Sequence, residues 1–297
     1  KEAKESYEQA IRINPDYALA HYNLGSVYGK LGKYEEAIES YKQAIRIDPD
    51  HALAHDNLGA AYEKSGKNEE AIESYKQAIR IDPDYAEAHN NLGIAYHESG
   101  KYEEAIESFK QVVKIGPDDA EAHYNLGLAY GESGKYKDAI EPNKQAIEID
   151  PDYAEAHNNL GIAYSQLGKH KEAKESYEQA IRINPDYAGA HSNLGAAYYE
   201  TGKHEEAIES FKQAIKIDPD DAKVHISLGL AYFGLNDRGS AMEQYKILKK
   251  LDSELADKLF DLIYKEEEEL EGEDSDKIDS YKQAIRIDPD DALAHYN

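Results

Sequence analysis

The sequence predicts an all-α protein, a solenoid of stacked helix pairs, and three observations carry that expectation. The segment AHNNLGIAY occurs at Ala88 and again at Ala156, with near copies starting at Ala20, Ala54, Ala122 and Ala190, all on one 34-residue period. Pro15, Pro49, Pro83, Pro117, Pro151, Pro185 and Pro219 repeat at the same interval. Between the prolines, two stretches carry apolar residues at the three- and four-residue steps of a helix. A period of this length marks a repeat array, not one globular core.

The unit from Ala52 to Tyr85 shows how each element arises. Ala54, Leu58, Ala61, Tyr62 and Ser65 recur at helical steps, and Gly66 is placed to end that first helix as its C-cap glycine. In the second helix Ala71, Ile72, Tyr75, Ala78 and Ile79 form one apolar stripe, while Glu69, Glu70, Glu73, Lys76 and Arg80 face water. Asp82-Pro83 then stops it, because a residue before proline avoids helical backbone. Gly59 is expected where the two helices approach closely, opposite Ala71 and Ala78. A unit this small buries too little surface alone, so neighbours must stack.

Composition narrows the function. The 297 residues carry a formal charge of −26, no Cys, no Trp, one Met and 25 Tyr. Without cysteine there is no disulfide and no thiol chemistry. The negative charge disfavours nucleic acid and anionic membranes, whose recognition needs clustered Lys and Arg. No apolar run reaches the roughly 18 residues of a membrane span, and no leader precedes the first repeat, so the cytoplasm is the default compartment. No phosphate loop, nucleophile elbow or zinc-protease signature is present, and a non-enzyme with no cofactor is expected.

The pattern of Leu-Gly, Tyr, Gly, Ala, Tyr or Phe, Ala and Pro at fixed offsets in 34 residues resembles the tetratricopeptide repeat (TPR) family. The resemblance covers residues 1 to about 255: a lone second helix over 1–17, then seven units starting at Ala18, Ala52, Ala86, Ala120, Ala154, Ala188 and Ala222. It implies a right-handed superhelix whose first helices line a concave channel. One departure is constant: His21, His55, His89, His123, His157, His191 and His225 stand where the family usually has a large aromatic. Adjacent helices lie about 8 to 10 Å apart, whereas zinc needs each nitrogen within about 2.1 Å. These histidines cannot share an ion, and we read them as packing residues, with a softening of the stack below neutrality as a corollary.

Six successive units carry asparagine just before the buried leucine: Asn23, Asn57, Asn91, Asn125, Asn159 and Asn193. The family's geometry turns these side chains into the channel. A carboxamide has one acceptor and two donors, which suits an extended backbone whatever its sequence. The same residues can instead bond a neighbouring helix. A similar asparagine ladder lines the TPR superhelix of O-GlcNAc transferase, and a comparable grip on extended segments is what that resemblance implies. Other channel positions vary: Leu19, Leu53, Tyr22, Lys30 and Lys64 toward the N-terminus, Tyr124 further on, and Glu87, Glu121, Glu155, Glu98 and Glu132 in the middle. The matching partner is a neutral to basic, extended peptide with an apolar end. Some TPR domains clamp a C-terminal carboxylate with basic residues from successive units; Tyr22, Ser26, Asn57, Glu87 and Asn91 at those places lack them.

Three irregularities break the pattern. IEPNKQAI puts Pro142 inside a second helix and Asn143 where a packing tyrosine belongs, at a cost of about 3 kcal/mol or more for the proline alone; this unit is the expected weak joint. After Asp252, Leu255, Leu259, Leu262 and Ile263 form the stripe of a capping helix over 253–265. Residues 266–277 read as an acidic linker. The segment 278–297 returns to the repeat, either as a piece displaced from upstream of residue 1 or as an end that docks on another copy. The expected function is a protein-interaction scaffold holding an extended peptide in its channel. The alternatives are a self-assembling head-to-tail solenoid and the targeting arm of a larger enzyme.

Overall fold

A computed structural model describes residues 2–270, with side chains to 263. It is all-helical, with sixteen helices among the described residues. The chain divides into two compact units, residues 1–163 and 164–297.

In the first unit, α1 (Glu2–Ile13) is followed by the pairs α2 (Ala18–Lys30) with α3 (Tyr34–Ile47), α4 (Ala52–Lys64) with α5 (Asn68–Ile81), α6 (Ala86–Glu98) with α7 (Tyr102–Ile115), and α8 (Ala120–Glu132) with α9 (Tyr136–Ile149). The helix α10 (Ala154–Gln166) spans the division. Each pair packs on the next, and α2 touches α4 as α4 touches α6, so these three first helices form one wall. One core runs through these layers, from Ala37 and Tyr41 to Leu126 and Ala129.

The turns follow from the sequence. At the end of α4 the Gly66 N–H donates to the Glu63 carbonyl (2.9 Å) and the Lys67 N–H to the Tyr62 carbonyl (2.9 Å). Gly66 takes φ +76°, a left-handed backbone that glycine adopts without a Cβ penalty. The close approach at Gly59 has a different cause from the one expected. A Cβ there would lie 2.6 Å from the Tyr75 ring, so the glycine makes room for an aromatic side chain, not for Ala71 and Ala78. The serine within most second helices bonds back to its own helix. Ser74 Oγ donates to the Glu70 carbonyl at 2.8 Å, as Ser40 does to Glu36. Lys76 is exposed, as expected, and lays its ammonium 5.6 Å from the Tyr96 ring centroid of the next layer.

The second unit continues with α11 (His170–Ile183), α12 (Ala188–Glu200), α13 (His204–Ile217), α14 (Ala222–Gly234), α15 (Arg238–Leu251) and α16 (Ser253–Leu270). α16 packs on α15 and α14 through Ala256, Leu259, Phe260 and Ile263. Leu262, expected on that stripe, is 47% exposed, because its direction on the helix lies outside the arc set by Leu259 and Ile263. The helix also runs to Leu270, past the expected end at 265; the intervening glutamates are good helix formers. The fragment 278–297 and linker residues 271–277 lie outside the described residues.

Candidate binding face

The side chains of interest project from the first helices α2, α4, α6, α8 and α10. The histidines of these helices fix the turn that precedes each of them. Each ring's Nε2 donates to the carbonyl of the proline six residues earlier: His21 to Pro15 (2.9 Å), His55 to Pro49 (3.1 Å), His89 to Pro83 (3.0 Å), His123 to Pro117 (2.9 Å) and His157 to Pro151 (3.1 Å). In the second unit His191 and His225 do the same to Pro185 and Pro219, at 3.0 and 2.9 Å. A carbonyl only accepts, so the tautomer is assigned by this partner. The bond ties the interhelix turn to the first helix, which a phenyl ring at this place could not do. Neutral and protonated imidazole can both donate from Nε2, so the bond itself gives no reason for softening in acid.

The ladder asparagines are joined from layer to layer. Asn57 Nδ2 donates to the Tyr22 hydroxyl at 3.0 Å, Asn91 Nδ2 to Asp56 Oδ1 at 3.1 Å, and Asn125 Nδ2 to Asn90 Oδ1 at 3.3 Å. The partner is always 35 residues earlier, at the position before the preceding asparagine. Tyr124 occupies that position ahead of Asn159, and there the pattern fails: Asn159 Nδ2 is buried with no hydrogen-bond partner. Burial chiefly, with Glu155 adding to it, raises the Tyr124 hydroxyl pKa. The Asn159 amide is near enough to offset this in part, without hydrogen-bond geometry. Asn23 and Asn193 are half-buried.

Asp56 is the carboxyl of this row and is 3% exposed. Burial pushes its carboxyl up to about 6, the Asn91 bond pulls it down, Glu87 pushes it up and the Tyr85 bond pulls it down. The Tyr85 hydroxyl lies 3.4 Å from Asp56 Oδ2 and 3.4 Å from Glu87 Oε2.

The structure brings several sequence-predicted residues together. Tyr22, Asn57, Lys30 and Lys64 line one open groove of about 420 Å³ between α2 and α4, with Ser26 and Tyr41. Tyr22 stacks on His51, centroids 4.9 Å apart, and Tyr124 packs on Tyr153 at 4.9 Å. Leu19 and Leu53 are each 47% exposed, and Glu87, Glu121 and Glu155 are exposed at the starts of α6, α8 and α10. Sequence reasoning missed Tyr22, Asp56 and Asn90 as the ladder's lateral partners; their 35-residue offset was visible, but their varied chemistry hid a shared role.

This geometry meets a family comparison. A profile for the Cilia and flagella-associated protein 70 C-terminal domain, a tetratricopeptide-repeat family, matches residues 1–193. The chain belongs to that family. A TPR repeat profile also matches residues 195–236 of the array. Among solved structures, MamA is 34% identical, covering 56% of this chain and 97% of MamA, with a TM-score of 0.52. A tetratricopeptide repeat protein from Parabacteroides merdae ATCC 43184 is 21% identical, over 87% of this chain and 99% of that one, with a TM-score of 0.65. YrrB, described as a TPR protein with an unusual peptide-binding site, is 24% identical over 63% of this chain and 96% of its own, with a TM-score of 0.53. At their level of identity the last two speak to the fold. No curated protein matches.

Within this TPR array, none of the described residues forms a group of three or more His, Cys, Asp or Glu placed to hold a metal ion. No described helix is long and apolar enough to cross a membrane.

Proposed function

We propose that this TPR array is a protein-interaction scaffold that holds an extended, neutral to basic segment along the face of its first helices. The observation that supports it most is the tethered ladder. Each lateral bond from Asn57, Asn91 and Asn125 uses one amide hydrogen and fixes the plane of the carboxamide. A carboxamide has a second hydrogen and an oxygen, the two complements of a peptide unit. Rigid polar groups at a regular interval bind a backbone with little ordering cost. The exposed Glu87, Glu121 and Glu155 favour a partner carrying positive charge.

The test is a capture from cell lysate, read by mass spectrometry, comparing wild type with a variant in which Asn57, Asn91, Asn125 and Asn159 are all changed to Ala. A partner set taken by wild type and lost by a variant that circular dichroism shows folded supports the reading. Identical capture by both removes it. A second reading is association between copies, one array meeting the next head to tail. Under that reading the mass in light scattering rises with protein concentration.

A further inference from the structure

In three helix pairs of the first unit an aromatic ring fills the space beneath the first-helix glycine. Tyr41 lies under Gly25, Tyr75 under Gly59 and Phe109 under Gly93, each within 2.6 to 2.7 Å of where a Cβ would stand. In α8–α9 the ring is missing and Asn143 lies under Gly127. Beside Gly127 is a cavity of about 180 Å³, walled by Leu128, Ile162 and Ala163 with Glu132, Tyr136 and Asn159 at its polar parts.

Two buried groups around this space lack partners, and they are of opposite sense. Asn143 is 0% exposed; its Nδ2 donates to the Ala139 carbonyl at 2.8 Å, while its Oδ1 accepts nothing. Asn159 Nδ2, on the cavity wall, donates to nothing. Buried polar atoms are seldom left unpaired, and each costs free energy while it is. An unpaired acceptor stands under Gly127 and an unpaired donor on the cavity wall beside it.

We propose that this cavity receives a tyrosine side chain from the segment held on the first-helix face, an inference that rests on the function proposed above. The ring lies beside Gly127 and Asn143, and the apolar walls cover its faces. A phenol hydroxyl both donates and accepts, so it offers a partner to Asn143 Oδ1 and to Asn159 Nδ2. A phenylalanine leaves both orphans unpaired, and a carboxamide fills less of the apolar volume. The consequence is register: a ladder indifferent to sequence holds the backbone, and one pocket fixes which residue lies over Asn159.

The test uses the full chain, labelled with nitrogen-15 and titrated with p-cresol, toluene and propionamide as side-chain probes. The expected result is a saturable shift of the Gly127 amide and the Asn143 and Asn159 side-chain amides with p-cresol. Toluene should bind about thirtyfold more weakly, the factor two unmade hydrogen bonds produce. Asn143→Tyr, which restores the array's own ring and leaves every ladder asparagine in place, should lose the p-cresol response. The wild-type contrast between p-cresol and toluene stands whether or not that variant folds. An absent or unsaturable shift, an unchanged response in a folded Asn143→Tyr, or tighter binding of toluene or propionamide overturns the proposal. Failure of the lysate capture with a persisting p-cresol response removes the extended segment and keeps the phenol site.

Discussion

The pairs α4–α5 and α8–α9 are built on one template and differ where it matters. In α4–α5, Tyr75 is 1% exposed, packs under Gly59 and donates its hydroxyl to Glu63 Oε2 at 3.1 Å. In α8–α9, Asn143 holds the same place with its own Oδ1 orphaned, and a cavity lies beside Gly127. The preceding residue differs as well. Ser74 gives its hydroxyl to the carbonyl four residues earlier, whereas Pro142 has neither hydroxyl nor N–H to offer Asp138. The helix α9 nonetheless runs unbroken from Tyr136 to Ile149. Neighbouring layers hold a defective helix in place, which is how a one-dimensional stack tolerates a poor unit.

Transplanting the defect should have the largest effect. Tyr75→Asn, which gives α4–α5 the asparagine of α8–α9, should cost about 3–5 kcal/mol, the range for removing a buried aromatic. Urea midpoints measure it, and a loss below about 1 kcal/mol would mean that the two pairs are equivalent after all. Repairing the defect comes next. Pro142→Ser restores the N–H and the hydroxyl and should gain up to about 3 kcal/mol. Hydrogen exchange over 137–149, expected to be faster than over 69–81 in wild type, should slow toward it.

The sequence showed the period, the helix pairs and the capping glycines because backbone rules act locally: Gly66 needs its left-handed φ whatever surrounds it. It also marked Pro142 and Asn143 as departures. It did not show what Gly59 faces, since ring and alanine both lie one helix away and only packing chooses between them. Nor did it show the histidine bonds to the prolines, six residues apart, because nothing in a helix period calls for that contact. The asparagine ladder was legible as a row with two possible roles. Lateral bonding is seen in the structure, and the grip on a segment is our proposal.

The two pairs also differ at the lateral position, Asp56 in one and Tyr124 in the other. The Asp56 carboxyl holds its proton more tightly folded, at about 6, than its ordinary 3.8. Its burial therefore destabilises the protein fully above about 6, and the penalty is gone below about 4. Asp56→Asn, which copies the Asn90 that already serves Asn125, should gain on the order of 2–3 kcal/mol at pH 8. The gain should fade as pH falls through 6. A gain independent of pH would exclude the charge as its cause. Smallest is the lysine over the neighbouring ring: Lys76→Met should cost about 0.5 kcal/mol, read from thermal melts, and no change would place that contact among idle surface pairs.

The most direct test of the ladder is an ester scan of a captured segment. Each backbone amide in turn is replaced by an ester, which has no N–H to give an asparagine Oδ1, and affinity is measured by titration calorimetry. Losses of about three- to tenfold at a regular spacing along the segment are expected, the worth of one hydrogen bond each. A flat ester scan, with affinity falling only when side chains are truncated, would contradict a ladder that holds the backbone.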